Sequence, residues 1–193
     1  MTVSRPGVQN MTTRISEFDV LVPTALWLVD QGCFEMKASI APGQGRRIEE
    51  QKTDLKERLK SKGFTDISFA PRGPDLIARD SSRIWKVECK GLSDSSPKTG
   101  IVRARFFEAF AQVVSYYGEP AIEGGSDLRN GINRLLDWDK PIRLVLALPR
   151  SGKYLTLLRK RAKLALRRRL DLWLLIINPE TESVECYDPE HDL

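Results

Sequence analysis

A mixed α/β domain, with helices flanking a central sheet, is the fold class this sequence predicts. Three observations predict it. Residues 73–78 and 84–90 read as two strands, the second alternating apolar with polar or charged positions, and the link Arg79-Asp80-Ser81-Ser82-Arg83 is built from turn formers. Residues 142–148 and 172–177 are apolar runs that suit buried strands, joined by a segment with helical apolar spacing. Between these pairs, Phe106, Phe107, Phe110, Val113, Val114 and Tyr117 recur as in a core helix.

The remaining elements follow in chain order. Residues 1–16 read as a flexible tail and 17–193 as a single domain, because the first 14 residues are polar and lack apolar periodicity. The apolar stretch 20–29 predicts a helix starting near Pro23 and stopped by Gly32. Residues 34–40 suit an extra strand. Pro42-Gly43-Gln44-Gly45 reads as a turn, without the lysine and Ser/Thr of a phosphate-binding loop. Ile48, Leu55 and Leu59 mark the buried side of a helix ending in Ser61-Lys62-Gly63-Phe64, and residues 66–70 form a lead-in strand. The serine- and glycine-rich stretch 91–100 is expected to be flexible and able to close over a substrate. Residues 119–139 are irregular, with Gly124-Gly125 and Asn130-Gly131 as turn signals. Residues 184–187 suit a strand returning across the turn 178–182.

The hairpin carries the chemistry. A turn centred between Ser81 and Ser82 pairs residues whose numbers sum to 163, which sets Asp75 opposite Glu88. A four-residue symmetric loop keeps this register, whereas a bulge does not, and Ser-Ser is not a favoured two-residue turn. Opposed Cβ atoms lie roughly 4.5–5.5 Å apart, close enough for two carboxylates to share one divalent cation. Lys90 lies beside Glu88 on the same face, and Cys89 points the other way. Two carboxylates this close repel, and a lysine and a cation relieve the repulsion. The plain alternative is a solvated strand face.

Pro74-Asp75 followed thirteen residues later by Glu88-Cys89-Lys90 resembles the PD-(D/E)XK phosphodiesterase superfamily, the restriction-endonuclease-like fold. Gln112 and Tyr116, four apart on one helix side, are similar to the QxxxY element of its RecB-like branch. The resemblance spans about residues 45–148. It implies an αβββαβ core in which Asp75 and Glu88 hold the cation with the carbonyl of Cys89. Lys90 then orients or deprotonates the attacking water and offsets phosphate charge, and Gln112 and Tyr116 brace the site or the substrate phosphate. Many members add an acidic residue from the first core helix. Glu49 and Glu50 are the candidates here, and Glu49 lies nearer the buried side.

Phosphodiester hydrolysis needs an in-line water, neutralisation of charge developing on the phosphate, and a stabilised leaving oxygen, all of which a hard cation on carboxylates can serve. Mg²⁺ fits an all-oxygen site of one or two carboxylates, with Mn²⁺ as a substitute. One histidine, His191, leaves no paired-histidine or Ser-His-Asp chemistry, and three scattered cysteines give no zinc-finger spacing. The odd cysteine count and the absence of a signal-like start or an apolar span lead to a cytoplasmic expectation with no membrane partner.

The chain has 193 residues, 41% hydrophobic and 30% charged, with a net charge of +5, which suits one ordinary domain. Its charge is uneven. From Lys153 to Arg169 basic residues recur without an acidic one. As a helix with Leu155, Leu158, Ala162, Ala165 and Leu166 buried, that segment lines Arg159, Lys160, Lys163 and Arg167 along one flank. Such a ridge neutralises phosphates in a salt-dependent way, and Lys98, Arg103 and Arg105 extend it. The expected activity is Mg²⁺-dependent hydrolysis of DNA, as an endonuclease ahead of an exonuclease. RNA is the lesser substrate because no aromatic single-strand platform is present. Double-strand cleavage by so short a chain favours a homodimer or a partner protein. The rival reading is a non-catalytic module of nuclease-like fold that binds nucleic acid or protein.

Overall fold

Ser16 opens the first helix. Its hydroxyl accepts from the Asp19 amide at 3.2 Å while the Asp19 carboxylate accepts from the Ser16 amide at 2.7 Å, a reciprocal capping box. The computed structural model describes residues 14–41, 47–92, 99–116, 140–161 and 164–191. Helix α1 (Glu17–Asp30) leads to strand β1 (Glu35–Ser39), followed by α2 (Ile48–Ser61), β2 (Ile67–Ala70), β3 (Leu76–Arg79) and β4 (Ile84–Cys89). Then come α3 (Thr99–Ser115), β5 (Ile142–Pro149), α4 (Gly152–Arg161), α5 (Leu164–Leu170), β6 (Leu172–Asn178) and β7 (Ser183–Tyr187).

All seven strands join one mixed sheet in the order β2-β1-β3-β4-β5-β6-β7, so the protein is α/β. β1, β3 and β4 run antiparallel in succession, while β4, β5 and β6 are parallel. Parallel strands need helical crossovers that cover both faces, and two apolar layers result. Leu28, Leu55 and Leu59 from α1 and α2 pack on Leu76, Val87 and Val145. On the opposite face Phe106, Val113, Tyr154 and Leu158 from α3 and α4 pack on Leu144, Leu146 and Leu174. β4 is buried along its whole length.

Several expectations change. The α1 capping box starts the helix well before Pro23, which lies inside it; the ring removes one backbone hydrogen bond, and burial of Pro23 offsets that loss. The strand expected as an extra, β1, is the neighbour of β3, whereas the expected lead-in strand, β2, sits at the sheet edge. Their burial explains the exchange: Met36, Ala38 and Ser39 of β1 are covered, and no β2 residue is fully buried. The first helix of the β1-β3-β4 run is therefore α1, not α2. The readings of 1–13, 42–45, 93–98 and 119–139 lie outside the described residues.

The basic segment is helical on either side of residues 162–163, which lie outside the described residues. Arg159 and Lys160 are exposed on α4, but Ala165 and Leu166 are exposed as well and Arg167 is fully buried. The Arg167 guanidinium donates to the carbonyls of Tyr187 at 2.7 Å, His191 at 2.9 Å, Leu172 at 3.4 Å and Asp188. It ties α5 to the chain after β7 and cannot reach a phosphate. Arg167→Ala is expected to cost about 2–4 kcal/mol in a denaturant melt.

Candidate functional site

The predicted hairpin register is present. Leu76 pairs with Val87 and Arg79 with Ile84, so Asp75, one residue before β3, falls opposite Glu88. The four-residue turn closes through Asp80: its amide donates to the Arg83 carbonyl at 3.1 Å, and its Oδ1 accepts from the amides of Ser82 and Arg83, both at 2.7 Å. That Asx arrangement explains how Ser81 and Ser82 turn the chain without positive φ.

Asp75 Oδ2 accepts from the Cys89 amide at 2.7 Å, which fixes the carboxylate against β4. Lys90 Nζ lies 3.1 Å from Glu88 Oε1 and 3.5 Å from Glu17 Oε1. The other Glu88 oxygen accepts from the Tyr116 hydroxyl at 2.7 Å. The structure thus brings together Asp75, Glu88, Lys90, Tyr116 and the Cys89 main chain at the end of β4. Glu88 is 3% exposed, so the charged row on β4 is no solvated face. Lys86, on the same face, is also buried and donates to the Tyr116 carbonyl at 3.2 Å, where the C-terminal end of α3 favours a cation.

Burial, then the charge of Glu88, pushes the Asp75 carboxyl up to about 8, against the pull of the Cys89 amide. Burial likewise raises Glu88, opposed by Tyr116 and Lys90. Lys90 is held above its ordinary value; burial works against this, and the carboxylates of Glu17, Glu88 and Asp75 overcome it. Negative charge is in excess, two or three carboxylates against one ammonium.

Glu49 is not part of this group. Its side chain is 81% exposed and pairs with Lys52 at 2.7 Å, while the Glu50 carboxylate caps α2 through the Arg47 amide at 3.4 Å. The helix-borne acid is Glu17 at the start of α1, a residue the sequence reading passed over by starting that helix near Pro23. The Ser16-x-x-Asp19 pattern was the signal that could have found it.

A cleft of about 290 Å³ opens beside the site, lined among others by Arg14, Glu17, Ser39, Gln51, Asp75, Lys90 and Arg105. Arg105 therefore lines the same cleft as Asp75 and Glu17. Arg103, farther round α3, is exposed with its guanidinium 5.6 Å from the Phe107 ring centroid. Lys98 and Lys163 lie outside the described residues. Gln112 is half-buried, and its Oε1 has no hydrogen-bond partner, as is also true of Gln51 Oε1. A buried acceptor left unpaired costs about 1–3 kcal/mol.

Gly91 seats Glu17. A Cβ there would lie 2.4 Å from the Ile15 carbonyl oxygen and 2.8 Å from the Glu17 nitrogen. Next to it Ile15 and Leu92 exchange two backbone hydrogen bonds, and the Tyr154 hydroxyl donates to the Gly91 carbonyl at 3.1 Å. Only glycine lets the first turn of α1 approach this closely. Gly91→Ala is expected to lower stability by about 1–3 kcal/mol and to move Glu17 off Lys90, read as a lower melting temperature.

The donors suit a hard cation. Oxygen ligands predominate, and the burial that raises Asp75 and Glu88, together with the repulsion of Asp75 by Glu88, is what a bound divalent ion relieves. Among the described residues no group of three or more His, Cys, Asp or Glu side chains is placed to hold a metal ion. Mg²⁺ does not need one, since one or two carboxylates with water and substrate phosphate suffice. No helix of the described residues is long and apolar enough to cross a membrane. No family model, curated protein or solved structure matches this chain.

Proposed function

We propose that the protein is a Mg²⁺-dependent nuclease of the PD-(D/E)XK type that hydrolyses phosphodiester bonds in DNA. The observation that carries this reading is the meeting of Asp75, Glu88, Glu17 and Lys90 at one strand end, with Lys90 Nζ 3.1 Å from Glu88 and 3.5 Å from Glu17. The run α1-β1-β3-β4-α3-β5 supports it, because it is an αβββαβ order with α2 and β2 inserted after β1.

Asp75 and Glu88, with the Cys89 carbonyl, hold the ion in this reading, and Glu17 replaces Glu49 as the helix-borne acid. The bound ion supplies charge neutralisation and an acidified water. Lys90 orients the attacking water and offsets charge on the scissile phosphate. The Tyr116 hydroxyl fixes the Glu88 carboxylate, and Lys86 fixes the end of α3 that carries Tyr116. Arg105 in the cleft and Arg103, Arg159 and Lys160 on the outer helix faces engage flanking phosphates. The free thiols of Cys33, Cys89 and Cys186 suit a cytoplasmic setting, and two-strand cutting suits a homodimer or a partner.

The test is cleavage of supercoiled plasmid, linear duplex and single-stranded DNA in Mg²⁺. Conversion of supercoiled plasmid to nicked or linear forms supports an endonuclease. Shortening of linear substrates alone makes the protein an exonuclease. Salt-sensitive binding in Ca²⁺ with no cutting of any substrate in Mg²⁺ favours the non-catalytic module instead. Arg159→Glu with Lys160→Glu is expected to weaken binding in Ca²⁺ about 10-fold or more at low salt, with a shallower salt slope in a fluorescence titration.

A further inference from the structure

Gln51 has the properties of a ligand-facing residue without a ligand. It lies on α2, the excursion outside the αβββαβ order, and is 2% exposed, yet its Oε1 has no hydrogen-bond partner. It lines the cleft that Asp75, Glu17 and Lys90 also line. The Ser39 amide at the end of β1 donates to the Asp75 carbonyl at 2.9 Å, and Ser39, Ile40 and Ala41 line the cleft as Gln51 does. Asp75 therefore has Glu88 on its β4 flank and the end of β1 on the other.

An amide oxygen can only accept, so Gln51 Oε1 calls for a donor. None of the groups that line the cleft donates to it: Asp75 and Glu17 carry carboxyl groups, the Ser39 hydroxyl donates to the Ala70 carbonyl at 3.2 Å, and Arg14, Lys90 and Arg105, though donors, make no hydrogen bond to Gln51 Oε1. A nucleobase or phosphate brings mostly acceptors to a wall already rich in carboxylate. A hydrated divalent cation brings donors only, since each of its waters directs hydrogens outward. Mg²⁺ on so few protein oxygens keeps several of those waters.

We infer that Gln51 is an outer ligand of the cation site, accepting from the hydration shell on the β1 flank of Asp75 and so setting metal affinity and ion position. The inference rests on the nuclease reading of the same site. Gln51 touches no reacting atom and is a positioning residue.

The experiment is a titration of the DNA-free protein with Mn²⁺, followed by the electron paramagnetic resonance signal of the free ion, for wild type, Gln51→Leu, Gln51→Glu and Asp75→Asn. Gln51→Leu is expected to bind Mn²⁺ on the order of 10-fold more weakly, the effect of losing an outer-shell partner. Gln51→Glu, which keeps the acceptor, is expected to bind at least as tightly as wild type. The metal-free melting temperature of Gln51→Leu is expected to equal or exceed that of wild type, because no native hydrogen bond is lost. Unchanged Mn²⁺ affinity in Gln51→Leu, or a lower metal-free melting temperature, overturns the inference. If Asp75→Asn weakens binding and Gln51→Leu does not, only the role of Gln51 fails. If Asp75→Asn binds Mn²⁺ like wild type, the metal site itself is refuted and the nuclease reading fails with it.

Discussion

Lys90→Ala is expected to cut the rate of Mg²⁺-dependent DNA hydrolysis by about 10²–10³-fold, the usual loss when one preorganised group that stabilises developing charge is removed. Lys90 Nζ lies 3.5 Å from Glu17 and 3.1 Å from Glu88. On the nuclease reading, losing it removes the cation that would face the phosphate and leaves more of the carboxylate charge to be balanced by the metal. Mg²⁺ affinity is therefore expected to hold or rise while turnover falls. Plasmid nicking under Mg²⁺ saturation reads the first effect, and the Mg²⁺ concentration for half-maximal rate reads the second. A variant that cuts at the wild-type rate would remove Lys90 from the mechanism. One that has lost Mg²⁺ affinity would make Lys90 a structural prop.

Asp75→Asn is expected to abolish cutting and yet to stabilise the metal-free protein at alkaline pH. The sign follows from the raised carboxyl, about 8 when folded against about 4 when unfolded. Between those values the unfolded chain has released a proton that the folded state still holds. Folding then binds more protons than unfolding, so stability is fullest below about pH 4 and declines until about pH 8. Each pH unit in that window is worth up to about 1.4 kcal/mol for a single proton, and Glu88, raised in the same direction, adds to the trend. Asparagine carries no charge and removes the Asp75 share. In EDTA the variant should match wild type near pH 4 and melt higher at pH 8. Mg²⁺ should raise the wild-type melting temperature more at pH 8 than at pH 6, because metal binding displaces the proton. Parallel melting profiles for the two proteins across this range would show that the two carboxylates do not share the strain assigned to them.

The hairpin was the most legible part of the chain. Alternation over 84–90 and the turn formers 79–83 were enough to set Asp75 against Glu88, because register is fixed locally by turn length and by which face is apolar. Legibility ended where position depends on the sheet as a whole. Nothing local to residues 35–39 or 67–70 says which strand lies beside β3, and placing the wrong one there led from Glu17 to Glu49. Pro23 compounded the error, since it is a common first residue of a helix and here lies inside one. Arg167 illustrates the same limit from the side of charge. In sequence it belongs to a basic ridge, and only the carbonyls gathered from Tyr187, Asp188 and His191 show that it is a buried tie. Gly91 carries no sequence signal at all, because its requirement comes from a segment more than seventy residues earlier in the chain folding back within 2.4 Å of where a side chain would begin.

The central claim is that the Asp75, Glu88 and Lys90 constellation cuts DNA with a divalent cation. Its most direct test is the initial rate of supercoiled plasmid cleavage by wild type and Lys90→Ala protein, each in Mg²⁺ and in EDTA. Cleavage by wild type in Mg²⁺ alone is expected, with the variant slower by about 10²-fold or more. Equal rates for the two proteins, cutting that survives EDTA, or an inert wild type would contradict it.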